Sequence, residues 1–240
     1  MTINKTFRSS AITLLTIEFL LLFVPLIVLG MAINWPASLD EPASVNLPLI
    51  LEQAAAVKFG YLTYMIYSVL IIPVAFIISH IVAGFGPPNT LLKIANGFAI
   101  GSAVLRVLGI IRWLIPMPIL ARVYTDPASS EGTREAVAIM YDMLNAYAGS
   151  VGEVLGVGFF AALWVGITAY VILRDGTLPR WVGGFGLITA VALTAGLLEI
   201  VEVDAGAFLT INVTMLHFWW FFIAMIVAFR PAWIQRTTEA

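Results

Sequence analysis

Six separate stretches of this chain are each long and apolar enough to cross a lipid bilayer, and that constrains its fold more than any other feature. A bilayer core of about 30 Å needs about 20 mostly apolar residues at 1.5 Å each. The six are Ala11–Asn34, Tyr61–Ala83, Ile94–Leu120, Ser150–Leu173, Trp181–Val201 and Leu209–Phe229. Their ends carry stop signals: Trp35-Pro36, Gly84-Phe85-Gly86-Pro87-Pro88, Arg174-Asp175-Gly176 and Arg230-Pro231. Apolar residues make up 61% of the 240 and charged ones 11%, well under the roughly 25% of a soluble domain. Alternating strands of about 10 residues, the mark of a membrane barrel, are absent. The expectation is an all-α, polytopic six-helix bundle, one membrane domain over residues 1–240. The first stretch is read as a retained span, because its apolar run exceeds a signal peptide's 7–15-residue core and Glu18 interrupts it.

Lys and Arg in the short loops set direction. One set of segments holds seven: Lys5, Arg8, Lys93, Arg174, Arg180, Arg230 and Arg236, with only Asp175 and Glu239 as acids. The opposite side holds three, Lys58, Arg122 and Arg134, among Asp40, Glu41, Glu52, Asp126, Glu131, Glu135, Glu202 and Asp204. Both termini are therefore expected in the cytoplasm. The overall charge of −2 offers no basic field for nucleic acid.

Two segments between spans are expected to be structured. Asn46–Lys58 either lies in the outer interface or extends the second span. Glu131–Tyr147 carries Ala136, Val137, Ile139, Met140, Met143 and Leu144 at helical spacing, and is read as an extension of the fourth span, with a gate or partner surface as the alternative. No repeat pattern supports an inverted three-plus-three transporter.

Ionisable groups inside a membrane are costly and face the bundle interior. Measured from the cytoplasmic ends, Glu18 lies about 15 Å deep, and Arg106 and His217 about 18 Å. Arg112, Glu153 and Glu199 come out at about 27–30 Å. The spacing predicts a midplane pair of Glu18 with Arg106, His217 nearby, and an outer cluster of Arg112, Glu153 and Glu199 with Glu202 one turn above. Such layers either fix helix order as buried bridges or form an ion path or polar ligand site. Gly97-x-x-x-Gly101 and Gly152-x-x-x-Gly156 predict close helix packing. Pro73, Pro116 and Pro118 predict kinks or helix ends. Phe218-Trp219-Trp220-Phe221-Phe222 lies too deep for an interfacial belt; it is read as half core and half lipid-facing, or as a seat for a flat apolar ligand.

Several chemistries are disfavoured. His80 and His217 differ in depth by about 13 Å, against a bis-His haem. Absence of Cys and of H-E-x-x-H argues against zinc, and no Lys stands mid-span for a retinal. No phosphate loop or G-x-S-x-G occurs. No catalytic, cofactor or metal residue is assigned.

Leu105-Arg106-Val107-Leu108, Gly152-Glu153-Val154-Leu155-Gly156 and Leu178-Pro179-Arg180-Trp181-Val182-Gly183 resemble the family called domain of unknown function 4386. The likeness covers about half of the chain, from the third span to the sixth. The family pattern often puts a carboxylate soon after the third-span Arg, where this chain has Arg112. The resemblance implies six helices in a bacterial-type cytoplasmic membrane and no activity. The expectation for function is a non-enzymatic multi-pass protein, structural or partner-binding, in contact with lipids and a membrane-protein partner. The alternative is a small transporter or channel using the Arg–carboxylate network, and a third class is a lipid-modifying enzyme.

Overall fold

The computed structural model describes residues 5–203 and 206–234, and the regular structure among them is all helical. Asp204, Arg236 and Glu239 of the charge pattern lie outside the described residues. Among the described residues, six helical runs are long and apolar enough to cross a membrane: Lys5–Ile33, Ala54–Val82, Thr90–Thr125, Glu131–Asp175, Arg180–Val201 and Ile211–Phe229. Each covers one stretch expected from the sequence.

Prolines explain most of the breaks. The first run is α1 (Lys5–Leu21) and α2 (Phe23–Ile33). Pro25 cannot donate back to the carbonyl four residues earlier, at Leu21, and the helix turns at Leu22. The segment Asn46–Lys58 divides at Gln53 between a short helix α3 (Ala43–Glu52) and the start of α4 (Ala54–Val82). The reading as an extension of the second span is met from Ala54 onward, and the residues before Gln53 form a helix of their own. Pro73 is absorbed inside α4. The third run breaks at Ile115 between α5 (Thr90–Leu114) and α6 (Pro116–Thr125), where Pro116 and Pro118 occupy a first turn that needs no amide donors.

The fourth run starts as α7 (Glu131–Gly149), capped by the Ser130 hydroxyl, which accepts from the Thr133 amide at 3.2 Å. It passes through a 12-residue π-helix, Ser150–Ala161, into α8 (Ala162–Asp175), and ends at Gly176 with φ 64°. The fifth run is α9 (Arg180–Leu193) followed by a 3₁₀ segment, Thr194–Val201. Glu202 then takes the left-handed conformation, φ 61°, so it ends the helix instead of standing one turn above Glu199. The last run is α10 (Gly206–Phe229).

Two compact units divide the described residues. In the first, formed by 5–19, 70–104, 154–203 and 206–234, α8 packs along α9 and α9 against α10. A Cβ on Gly186 would lie 2.7 Å from Trp219 Nε1, so a bare backbone is what admits that indole. The indole donates to the Val182 carbonyl at 3.1 Å. Trp219 and Trp220 are fully buried around Trp164 and Phe218 is 40% exposed, so the aromatic run has one inward and one outward side. Arg8 on α1 donates to the carbonyls of Val227 (3.0 Å) and Ala228, at the end of α10.

The second unit comprises 20–69 and 105–153. Its core includes Leu29, Leu47, Tyr61, Trp113, Met117 and Tyr141. α3 packs on α6, and also touches α2 and α7. Buried Asn46 on α3 donates to the Tyr141 hydroxyl of α7 (2.6 Å) and to the Ser38 carbonyl. Tyr141 in turn donates to the Glu41 carbonyl at 3.2 Å.

The glycine motifs meet the expected close packing in part: Gly101 and Gly152 do, and Gly97 does not. Gly97 faces open space, whereas a Cβ on Gly101 would meet Phe160 at 2.5 Å. The close backbone approach is Gly109 on Gly152: a Cβ on Gly109 would lie 2.8 Å from Gly152 Cα and 2.9 Å from the Ala148 carbonyl. Ser102 donates to the Gly156 carbonyl at 2.6 Å.

Candidate functional site

Charged groups at membrane depth must be enclosed, and four of the six candidates are. Glu18, His217, Arg106 and Arg112 are at most 5% exposed. Glu18, Glu199 and His217 belong to the first unit, and Arg106, Arg112 and Glu153 to the second. In the first unit, Phe19, next to Glu18, stacks on Phe221 at 4.5 Å and meets Phe218 at 5.8 Å, so α1 and α10 pack at that level. His217 sits one turn above the Val213 carbonyl, in hydrogen-bond contact through Nδ1, with its ring 4.4 Å from Trp220. Glu199 is half-buried on the 3₁₀ segment. That segment rises about 2.0 Å per residue, so Glu199 lies about 3 Å farther from the helix start than an α-helix would put it.

The second unit brings Arg112 and Glu153 together. Arg112 Nη2 lies 3.7 Å from Glu153 Oε1, with side-chain exposures of 5% and 34%. Nη1 donates to the Gly109 carbonyl at 3.2 Å, and the guanidinium lies 5.2 Å from the Trp113 ring. A Cβ on Gly149 would sit 3.4 Å from Nη2, so glycine leaves the room this side chain fills. Glu153 is presented from the π-helix, whose wider turn re-aims side chains relative to an α-helix.

An aromatic ladder accompanies the two arginines. Tyr61, Tyr64 and Tyr67 follow one another at intervals of three on α4. Tyr64 and Tyr67 stack at 5.8 Å, and Tyr61 stacks on Trp113 at 5.1 Å with rings parallel to within 1°. Arg106 donates to the Tyr67 hydroxyl at 3.3 Å and lies 5.8 Å from that ring. These four aromatics were not singled out from the sequence. Their signal was there, since phenols spaced by three inside an apolar span need buried hydroxyl partners.

Arg112 cannot release a proton, so Glu153 is the one group of this pair able to exchange protons. Among the described residues no group of three or more His, Asp or Glu is placed to hold a metal ion.

A family model described as "Domain of unknown function (DUF4386)" matches residues 16–229. No curated protein and no solved structure matches the chain.

Proposed function

Because this chain belongs to the DUF4386 family, whose description carries no activity, we propose its role from its own residues: a non-enzymatic, multi-pass membrane protein with a structural or partner-binding duty. What supports this is the engagement of Arg112. Its charge meets a carboxylate, a backbone carbonyl and an indole face, all from its own unit. A cation held this way orders helices and leaves little of itself for a passing ion. The membrane is a bacterial-type cytoplasmic one with both termini inside, a reading supported by the seven-to-three division of basic residues between loops.

A transporter is the second reading, and Glu153 favours it. The side chain is about a third exposed and stands on a π-helix, a device frequent at functional sites. Reconstitution in liposomes with a proton- and ion-flux screen, comparing wild type with Glu153→Gln, separates the two. Absence of flux under every gradient supports the scaffold. Flux that the wild type carries and Glu153→Gln loses overturns it.

A further inference from the structure

We propose that a second copy of this chain docks on the helical hairpin formed by α6 and α7. The inference rests on the partner-binding reading and names the partner as the protein itself.

The fourth helical run has 45 residues, against the about 20 that a bilayer core needs. Part of it must leave the hydrocarbon, and α7, with Glu131, Arg134, Glu135 and Asp142, is the charged part. Yet α7 is not polar on its open side. Ile139, Met140, Met143 and Tyr147 are 61%, 52%, 68% and 73% exposed. At 100° per residue these four span about 100° of one face. Glu131, Glu135 and Asp142 run along one edge of that stripe, exposed, and none of the three is in an ion pair among the described residues. The opposite face, with Val137, Tyr141 and Ala148, is buried.

Charge selects the occupant. An apolar stripe with one acidic edge fits an apolar stripe that carries a cation. α6, packed on α7, exposes one: Ile119 and Val123 are 49% and 38% exposed, with Arg122 exposed beside them and Ile115 at 56% just before the helix. Acid and base thus occur on neighbouring helices of one hairpin. A two-fold axis sets α6 of each copy against α7 of the other and satisfies both charge sets at once, as an isologous interface requires. Methionine and isoleucine supply adaptable apolar contact.

The chain contains no cysteine, so introduced thiols report without background. Two single-cysteine chains carrying different tags, Ile119→Cys and Met143→Cys, are co-reconstituted in liposomes and oxidised. Ile188→Cys on α9, 61% exposed, serves as control. The expected result is a disulfide product bearing both tags, well above the control. Arg122→Glu in the first chain lowers its yield several-fold, and Asp142→Arg in the second restores it. A two-tag product no stronger than the Ile188→Cys background, or one indifferent to Arg122→Glu, overturns the proposal. Flux measured in the same liposomes reads the scaffold question separately: flux without the disulfide sinks both ideas, and a disulfide with flux sinks only the scaffold.

Discussion

Arg112 and Glu153 approach to 3.7 Å, an ion pair slightly too long to be a hydrogen bond, with the cation enclosed and the carboxylate partly open. The asymmetry decides what each can do. Losing the buried cation strips a carbonyl, an indole face and a carboxylate of their partner. Losing the partly open carboxylate leaves that enclosed cation without its counter-charge at 3.7 Å.

Arg112→Ala is accordingly expected to destabilise the protein by about 1–3 kcal/mol, the open partner discounting the full cost of breaking a buried pair. Lys93→Ala, at an exposed position, should change stability by less than about 0.5 kcal/mol. Thermal unfolding in detergent compares them, and matching midpoints would remove Arg112 from its structural role. Arg112→Lys should recover only part of the loss, since an ammonium lacks the planar fork.

Gly109→Ala and Gly97→Ala should diverge. The first drives a methyl into Gly152 Cα and the Ala148 carbonyl, both backbone, at under 3 Å. A cost of about 1–3 kcal/mol is expected from such overpacking. The second meets nothing within 4 Å, and replacing a mid-helix glycine there should be neutral or stabilising by up to about 1 kcal/mol. Similar midpoints for the two would contradict the Gly109–Gly152 contact.

Tyr141→Phe removes the acceptor of the Asn46 amide and the donor to Glu41 while leaving the ring in the core. The expected loss is about 1–2 kcal/mol. It should show as faster amide exchange in α3, which this residue holds to α7. Unchanged exchange in α3 would mean that apolar packing alone keeps the short helix in place.

Arg8→Ala should act at the other end of the chain. It withdraws a cation from the last carbonyls of α10, where charge and hydrogen bonding together contribute about 0.3–1 kcal/mol. Exchange should quicken in the final turn of α10 and stay as it was in α3. Equal acceleration in both would show that Arg8 supports more than its own helix end.

The six spans were legible because each is a local property: 20 apolar residues need no knowledge of their neighbours to be read as a membrane helix. Prolines and glycines gave helix breaks for the same reason, at Ile115 and Gly176. Burial of Glu18, Arg106, Arg112 and His217 was likewise foreseeable, because lipid tolerates no bare charge. Depth along a helix also brought Arg112 and Glu153 to one level before their contact was known.

Only the tertiary structure decided azimuth and curvature. Rise per residue tells how deep a side chain lies but leaves open which way it faces, so Gly97 and Gly152 looked equivalent until one proved open and the other pressed on Gly109. The π-helix under Glu153 and the 3₁₀ turn under Glu199 depart from the uniform spacing any sequence ruler assumes. The tyrosine ladder arises because α5 lays Trp113 and Arg106 against α4. Sequence thus determined which groups must be inside the membrane helices, through the cost of exposing charge to lipid. The fold determined which of them meet, because partners on different helices are chosen by packing and never by spacing along the chain.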